Sequence, residues 1–395
     1  MKISAIHVIE VSGTAEFEGP ARSEPIGKPQ DVYPEYRPER RGRKLGTGPW
    51  RQEIRQFFLR VETDEGLTGQ IGPVTPEVCR LVKLRLERPL LGADPLAGAR
   101  AWDVMFRTQA HAGGLTMHAI AAVDCALWDL RGRQAGVPVY RLLGGPTRDS
   151  LEAYAQTKGL PHDRDDLLAE VRRLVDAGWP RLKVFLNHGL ADGRAGMQRN
   201  ADVLRTLREG LGDQVELMAD AWRSWDLPYA LEMVRRLAPL GLSWLEEPLM
   251  PRPVEAWREL RRRSPVPIAG GEHAYTRWEH KELLDAGAVD VLQPDPSWAG
   301  GLTETLRIIA LASAAGVRLC PHTNILQVSA HLVAACSPAE APLVEAPVFE
   351  ANYSAPFFLS DPVVAEGGTV RLPDAPGLGM ELDESKIASQ REMQL

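Results

Sequence analysis

The stretches VELMAD (215–220) and LSWLEE (242–247) decide the fold, because each has the pattern of a short buried strand that ends in a carboxylate. Helix-like segments separate these runs, which is typical of a parallel sheet. No Gly-rich dinucleotide fingerprint or Walker loop accompanies the strands, so the repetition predicts a (β/α) barrel rather than an open sheet. Four further runs of the same kind follow: PIAGGE (267–272), VDVLQPD (289–295), VRLCPH (317–322) and PLVE (342–345).

A polar residue ends each of the six strands, and neighbouring members of the series are 23 to 27 positions apart. A (β/α)8 barrel uses roughly 30 residues per unit, so these side chains should converge on one mouth of the barrel. A single carboxylate at a strand end is often only a helix cap or an ion-pair partner, but six in register indicate a site. The six residues are Asp220, Glu246, Glu272, Asp295, His322 and Glu345.

The first three residues of this series are candidate ligands of Mg²⁺. Three adjacent carboxylates would repel one another and raise each other's pKa values, whereas a hard divalent cation takes oxygen ligands. Cysteine and histidine are absent from the three, which disfavours structural zinc. We therefore expect Asp220, Glu246 and Glu272 to bind magnesium and to leave positions open for a substrate.

The next two residues, Asp295 and His322, are a candidate catalytic base with its partner. They come from adjacent strands, so the aspartate can accept a hydrogen bond from one ring nitrogen while the other faces the substrate. Such a partner selects the tautomer of the imidazole and raises its basicity.

The first third of the chain predicts an α+β domain. Strand-like runs at 2–11 and 56–62 are followed by helical patterns at 76–91, 96–108 and 116–134. These elements differ in order from the alternating units that follow residue 151. We expect two domains, the smaller one preceding the barrel.

A polar stretch at 19–50 separates the first two strands and is longer than most loops. It carries aromatic and basic residues, so we interpret it as a flap that covers the substrate. Its candidate contacts with distal hydroxyl groups are Tyr33, Tyr36, Arg37 and Trp50. Trp298 is a candidate apolar wall of the same pocket.

Other conspicuous residues are better explained by packing than by chemistry. Glu247 should point away from its neighbour on the strand, and His331 lies on an apolar helix face. Asp124 and Trp128 are expected to pack and to form hydrogen bonds within their helix environment. The run Arg261–Arg263 fits the solvated face of a barrel helix.

Composition narrows the class of protein. The 395 residues are 44% hydrophobic and 25% charged, which is typical of a folded globular protein rather than a disordered one. The net charge of −7 disfavours a nucleic acid partner. The four cysteines form no CxxC pair, the start does not resemble a leader, and no apolar run reaches about 18 residues. These features predict a cytoplasmic protein that does not bind membranes.

Lys183 precedes the six strand-end residues, and the chain resembles the enolase superfamily in the order of these seven residues. It resembles in particular the mandelate racemase and muconate lactonizing enzyme branch, also through the stretches AAVDCALWDLRGRQAGVPVYRLLGG (121–145) and WLEEP (244–248). The resemblance implies an α/β fold: a modified TIM barrel, (β/α)7β, with an N-terminal α+β capping domain. The cap would span 1–135, the barrel 136–366, and a segment at 367–395 would return to the cap. It also implies Mg²⁺ as cofactor and a homo-oligomer, either a dimer or an octamer.

Within that branch the chain is most similar to L-rhamnonate dehydratase-like acid-sugar dehydratases. The similar stretches are GEHAYT (271–276), QPDPSWAGG (293–301), PHTN (321–324) and PGLGMELDE (376–384). The resemblance implies that His322 is the base, that Asp295 is its partner and that Glu345 binds near the substrate carboxylate. It also implies that His273 lines the pocket.

One position departs from the branch's pattern of two lysines on the second barrel strand. Lys183 matches the first lysine, but Phe185 replaces the second. A base on the opposite face of the substrate is therefore missing, which favours elimination over racemisation. We expect a carbon–oxygen lyase, a hydro-lyase, that removes the α-proton of an aldonate and eliminates water to give a 2-keto-3-deoxy acid. Lys183 or Glu345 would stabilise charge on the substrate carboxylate.

Two alternatives stay open. One is a racemase, epimerase or cycloisomerase of the same branch. The other is a catalytically silent, metal-stabilised binding protein, against which the retained ligands and base argue.

Overall fold

The computed structural model describes residues 1–17, 21–22, 25–37, 44–45, 50–109, 113–161, 163–348 and 356–393. Parts of the predicted flap, at 18–20, 23–24, 38–43 and 46–49, lie outside the described residues. In the described part, no helix combines the length and the apolarity that crossing a membrane requires. The four cysteines are buried and form no disulfide.

The N-terminal domain combines an antiparallel sheet with helices, as the sequence predicted. Strands β1 and β4 pair along their lengths, and β5 pairs with β4. The long helix α4 packs on this sheet and buries Ile120, Val123 and Leu127 against it. The elements are β1 Ile3–Phe17, β2 Ala21–Arg22, β3 Lys44–Leu45, β4 Trp50–Thr63, β5 Thr68–Val74, α1 Pro76–Leu81, α2 Glu87–Leu90, α3 Gly98–Arg107, α4 Leu115–Ala135 and α5 Val139–Leu142.

A barrel of parallel strands follows, in which the first seven strands pair in chain order and the last strand pairs with the first. The strands are β6 Ser150–Gln156, β7 Arg181–Phe185, β8 Glu216–Asp220, β9 Trp244–Glu246, β10 Ile268–Gly270, β11 Val291–Leu292, β12 Arg318–Leu319 and β13 Leu343–Pro347. The helices between them are α6 Arg164–Asp176, α7 Gly193–Leu211, α8 Leu227–Leu237, α9 Val254–Arg263, α10 Arg277–Asp285, α11 Leu302–Ala314 and α12 Leu326–Ala335. In the described part of the chain, seven strand–helix units and a final strand confirm the (β/α)7β fold.

The barrel interior explains why the polar strand ends converge. Side chains alternate along a strand, so residues two positions apart point to the same side. A buried cluster inside the barrel contains residues that stand two positions before Asp220, Glu246, His322 and Glu345 in the sequence. The polar residues therefore lie directly above the interior core, at the C-terminal mouth. The cluster comprises Tyr154, Met218, Trp244, Ala269, Val291, Cys320 and Leu343.

The C-terminal part of the chain joins both domains. It contains β14 Ala365–Glu366, β15 Thr369–Arg371 and β16 Ser389–Glu392. Strand β15 pairs with β6 of the barrel, whereas β16 pairs with β1 of the N-terminal sheet. The cap and the barrel are thus tied together by the chain terminus as well as by α4.

Three residues that were predicted to have packing roles form hydrogen bonds between structural elements. Asp124 is buried and accepts a hydrogen bond from the backbone N–H of Thr303 at 2.9 Å, in the first turn of α11. The indole of Trp128 donates to the Thr303 hydroxyl at 3.0 Å. His331 is fully buried and accepts from the Tyr140 backbone N–H at 3.2 Å. These contacts join α4 and α12 to neighbouring elements.

Candidate active site

A cavity of about 590 Å³ opens at the C-terminal mouth of the barrel, beneath the cap. The cap closes one side with residues of β4, β5 and the turn into α1. A cavity bounded by both domains can enclose a small molecule and exclude water from it. Its barrel lining includes Gln156, Lys158, Phe185, Asp220, Trp222, Arg223, Glu272, His273, Trp298, His322, Thr323 and Asn324, and its cap lining includes Arg55, Gln56, Phe57, Pro73 and Thr75.

His322 and Asp295 are hydrogen-bonded in the wall of this cavity. Nδ1 of His322 lies 2.7 Å from Oδ2 of Asp295. The aspartate is fully buried and also accepts from the Ser297 hydroxyl at 2.6 Å and from the Asn324 backbone N–H at 2.9 Å. These donors hold the carboxylate still, so it orients the imidazole and leaves Nε2 on the cavity side.

Nε2 of His322 lies 3.2 Å from a carboxylate oxygen of Glu272. Burial disfavours the charged ring, but Glu272, Glu345 and Asp295 outweigh burial and raise the pKa of His322 to about 10. Carboxylates therefore make this histidine a stronger base than free imidazole. A divalent cation on Glu272 would offset part of that effect and bring the pKa closer to neutrality.

Lys183 lies under the mouth, where it is fully buried among carboxylates. Its ammonium forms an ion pair with Glu246 and lies 2.6 Å from Glu345 and 3.4 Å from Asp220. Glu345 also accepts from the Thr323 backbone N–H at 2.9 Å. The described cavity lining contains neither Lys183 nor Glu345, so direct contact of either with substrate stays a prediction.

The three predicted metal ligands end neighbouring strands. Asp220 and Glu246 are register partners on β8 and β9, and Glu272 follows β10. The carboxylate of Glu246 is turned toward Lys183 and accepts from Gln293 at 2.7 Å. The three side chains are consequently not gathered around one point in this structure, and their role as ligands stays a prediction.

The charges of these residues nevertheless fit a divalent cation. Burial raises the pKa of Asp220 well above its usual range, with Glu246 adding to the effect. Burial likewise raises the pKa of Glu272 to about 7. One buried lysine faces more carboxylates than it can neutralise, and a cation bound by oxygen ligands would favour their charged forms. The donor set is thus suited to Mg²⁺ rather than to a softer metal.

Glu247 does not point away from the site, contrary to the expectation from strand alternation. Strand β9 ends at Glu246, and Glu247 has a positive φ of 38°, which redirects its side chain. Its carboxylate lies 2.8 Å from Nδ1 of His273. Among the described residues, Glu247, Glu272 and His273 are the group whose possible ligand atoms lie within 4.8 Å of one another. Glu247 therefore orients His273 at the cavity edge.

The described part of the flap is anchored to the barrel, but its predicted contacts lie away from the cavity lining. Tyr33 and Tyr36 are 58% and 61% exposed. The Arg37 guanidinium donates to the backbone oxygen of Asp31 at 2.8 Å. Trp50 belongs to strand β4, not to the flap, and its ring stacks on Phe17 at 4.4 Å. None of these four residues lines the cavity, so the described structure does not support their predicted contacts with substrate.

Other predicted wall residues do border the cavity. The Trp298 ring lies 4.7 Å from the ring of His322, and it stacks on His118 at 5.2 Å. Phe185 also lines the cavity, 5.4 Å from the Lys183 ammonium. The phenyl ring of Phe185 has no proton to exchange, so it cannot act as an acid or a base in this part of the cavity wall.

Gln293, Lys158 and Trp222 also lie at the site and were not predicted from the sequence. Gln293 stands two residues after Val291, and strand alternation already placed it on the inner side of β11. Lys158 and Trp222 lie in loops beyond β6 and β8, where alternation no longer applies. Trp222 has a φ of 39°, and its N–H donates to Asp220 at 2.9 Å. Such strain in a bulky residue is characteristic of functional sites.

Known proteins are similar to this chain in sequence and in fold. Residues 166–386 match the family of enolase C-terminal domain-like proteins, and residues 44–144 match the mandelate racemase/muconate lactonizing enzyme N-terminal domain. L-rhamnonate dehydratase of Saccharopolyspora erythraea is 36% identical over 97% of this chain and 97% of its own length. D-galactonate dehydratase of Ralstonia pickettii is 34% identical over 86% of this chain and 91% of its own.

A solved structure of rhamnonate dehydratase from Gibberella zeae complexed with Mg superposes with a TM-score of 0.81. It is 27% identical, and the match covers 98% of this chain and 96% of the other. Both domains and their order agree with one family. The chain therefore belongs to the mandelate racemase and muconate lactonizing enzyme family of the enolase superfamily.

Proposed function

We propose that this protein is a Mg²⁺-dependent dehydratase of acid sugars, a hydro-lyase that converts an aldonate or related acid into a 2-keto-3-deoxy acid. The observation that carries the proposal is the hydrogen-bonded pair of His322 and Asp295, in which Nε2 of His322 lies 3.2 Å from the carboxylate of Glu272 at the cavity. A base beside a set of candidate metal ligands is the arrangement that removing a proton next to a carboxylate requires. The names of its relatives, L-rhamnonate and D-galactonate dehydratase, support the same class of reaction.

Asp220, Glu246 and Glu272 would hold the metal. When bound, Mg²⁺ supplies positive charge that stabilises negative charge developing on the substrate carboxylate. Lys183 holds the carboxylates of Glu246, Glu345 and Asp220 in place from below. This buried ion-pair network compensates part of the negative charge of the carboxylates.

His322 takes the α-proton through Nε2, and Asp295 stabilises the imidazolium that results. The enediolate then expels the 3-hydroxyl group. That group leaves as water after accepting a proton, which the imidazolium of His322 supplies when the hydroxyl departs from the same face. Trp298 and the cap residues over the cavity exclude bulk water from the reacting carbons.

Racemisation is the second candidate reaction, and the geometry around Phe185 disfavours it. Inversion needs a second group that exchanges protons on the opposite face. Phe185 lines the cavity on β7, where its ring has no acid–base function. Elimination needs only the base that His322 supplies.

A screen of acid sugars for keto-acid release, with and without EDTA, tests the proposed function. We expect His322→Asn to keep the circular dichroism spectrum and the thermal midpoint within a few degrees of wild type. The variant should lose both α-proton exchange in D₂O and keto-acid release, because one residue starts both processes. Exchange that survives in the variant would place the base elsewhere.

The same D₂O reaction separates elimination from epimerisation. NMR analysis of the unreacted substrate should show an unchanged configuration at C2. Accumulation of the C2 epimer beside the keto acid would contradict elimination as the sole outcome and would favour an epimerase.

A further inference from the structure

A histidine of the cap contacts the loop that carries the base pair. His118 lies on α4, and its ring stacks on the ring of Trp298 at 5.2 Å, with an angle of 5° between the two planes. The ring of Trp298 in turn lies 4.7 Å from the ring of His322. The three rings therefore form a row that leads from the cap to the proposed base.

Trp298 belongs to a turn, 295–301, that folds around Asp295. The backbone N–H of Trp298 donates to the carbonyl oxygen of Asp295 at 3.0 Å. One carboxylate oxygen of Asp295 accepts from the Ser297 hydroxyl at 2.6 Å, and the other lies 2.7 Å from Nδ1 of His322. A shift of Trp298 would therefore reach His322 in two ways, through the contact of the rings and through the hydrogen bonds of Asp295.

The cap also holds the far end of this turn. The indole of Trp102, on α3, is buried and donates to the carbonyl oxygen of Gly300 at 2.8 Å. Gly300 has a φ of 79°, which favours glycine, and a side chain added there would come within 2.7 Å of Met117 on α4. The cap thus fixes the end of the turn, and His118 contacts its middle at Trp298.

The ring of His118 contacts its neighbours as a neutral aromatic ring. Its Nε2 is buried and forms no hydrogen bond within the described part of the chain. Burial lowers the pKa of His118 below its usual value, so the ring is uncharged near pH 7. The ring of Tyr275 lies 5.3 Å away at an angle of 59° and confines the imidazole from a second side. Contact between ring faces is the interaction that such a group provides.

We propose that His118 is a positioning residue of the cap, which holds Trp298 against His322 and so sets the orientation of the catalytic imidazole. The inference rests on the proposed function, because it takes His322 as the base. The described cavity lining includes Trp298 but not His118, so His118 acts through Trp298 rather than on the substrate. Proton transfer depends steeply on the placement of the base, and a displacement of about 1 Å can lower the rate about 10²-fold.

Three variants of His118 test the proposal with an acid sugar that the wild type accepts. His118→Phe keeps an aromatic face and removes the unpaired nitrogen, so kcat should stay within about threefold of wild type. His118→Ala removes the face and should lower kcat at least about tenfold with a smaller change in KM, because the base rather than substrate binding is affected. His118→Leu fills most of the space without a flat ring, which protects the fold, and its kcat should fall between the other two.

Trp128→Phe is a matched control on the same helix. The indole of Trp128 donates to Thr303 in α11, beyond the turn, at 3.0 Å. The variant loses a hydrogen bond between cap and barrel but keeps His118 on Trp298, so its kcat should match wild type. A loss as large as that of His118→Ala would overturn the proposal, because any weakening of the cap would then suffice.

Two results at position 118 would also overturn the proposal. If His118→Phe lost as much activity as His118→Ala, the ring nitrogens and not the aromatic face would be required. If the three variants changed KM alone, the residue would serve substrate binding and not the base.

NMR of protein labelled with ¹⁵N at its nine histidines separates this inference from the proposed function. The ring signals of His322 are identified by their loss in His322→Asn. They should shift or broaden in His118→Ala, because the imidazole is less confined, and should stay at their wild-type positions in His118→Phe. Unchanged signals in His118→Ala would refute the inference whether or not an acid sugar releases a keto acid. Shifted signals in a protein that releases no keto acid would support the positioning role and contradict the dehydratase.

Discussion

Replacing Lys183 with methionine tests the electrostatic account of the site most directly. The ammonium is fully buried, pairs with Glu246, and lies 2.6 Å from Glu345 and 3.4 Å from Asp220. Removing one partner of a buried ion pair costs about 3–5 kcal/mol, because the remaining charge is desolvated and uncompensated. We expect Lys183→Met to lower the free energy of unfolding by that amount near pH 8.

The dependence of this loss on pH follows from the pKa values of the carboxylates. Burial raises the pKa of Asp220, and Lys183 keeps the pKa of Glu246 below its usual range despite burial. Without the lysine, the folded-state pKa of Glu246 rises above its unfolded value. Such a group destabilises the folded state above the unfolded pKa, and the cost is relieved as the pH falls through the folded pKa. The loss should therefore be smaller near pH 5 than near pH 8.

Urea unfolding followed by circular dichroism measures the effect, with EDTA present so that added cations do not compensate. Lys281→Met is the control, because its ion pair with Asp285 is half-exposed and should contribute less than about 1 kcal/mol. A loss below about 1 kcal/mol for Lys183→Met near pH 8 would refute the reasoning. A loss that is larger near pH 5 would refute it as well.

Three further outcomes are expected. Asp220→Asn should weaken Mg²⁺ binding at least tenfold by calorimetry, because one anionic oxygen ligand is lost, and unchanged affinity would move the site elsewhere. Asp295→Asn should lower kcat about 10²-fold or more while the fold persists, because His322 loses the partner that selects its tautomer. A near-normal kcat would show that Asp295 does not assist His322 as the base. His7 contacts Glu62 and Glu392 at 2.8 and 2.7 Å, and although its partial burial opposes the charged ring, the two carboxylates raise its pKa. Its stabilisation is thus present below the unfolded pKa near 6.5 and is lost as the pH rises through the folded pKa. In thermal melts, His7→Gln should therefore be destabilising near pH 5.5 and neutral near pH 9. Equal effects at both pH values would show that the ion pairs of His7 with Glu62 and Glu392 do not stabilise the fold.

Much of the site was predictable because it lies on regular strands. Alternation along a strand places residues two positions apart on one side, so Asp220, Glu246 and Glu345 had to share the inner face of the barrel. Their even spacing then placed them at one mouth. The order of helices and strands likewise predicted both domains without any knowledge of contacts.

Only the tertiary structure decided what lies beyond the strand ends. Positive φ angles turn Glu247 toward His273 and hold Trp222 at the cavity wall, and such angles in bulky residues depend on their surroundings rather than on local preference. Lys28 and Lys158 are 130 positions apart in the chain, yet both reach the same aromatic ring. The sequence alone determined which chemical groups meet inside the barrel, because the backbone there is periodic. Which loop residues face them depends on the packing of cap against barrel, and no local pattern encodes that.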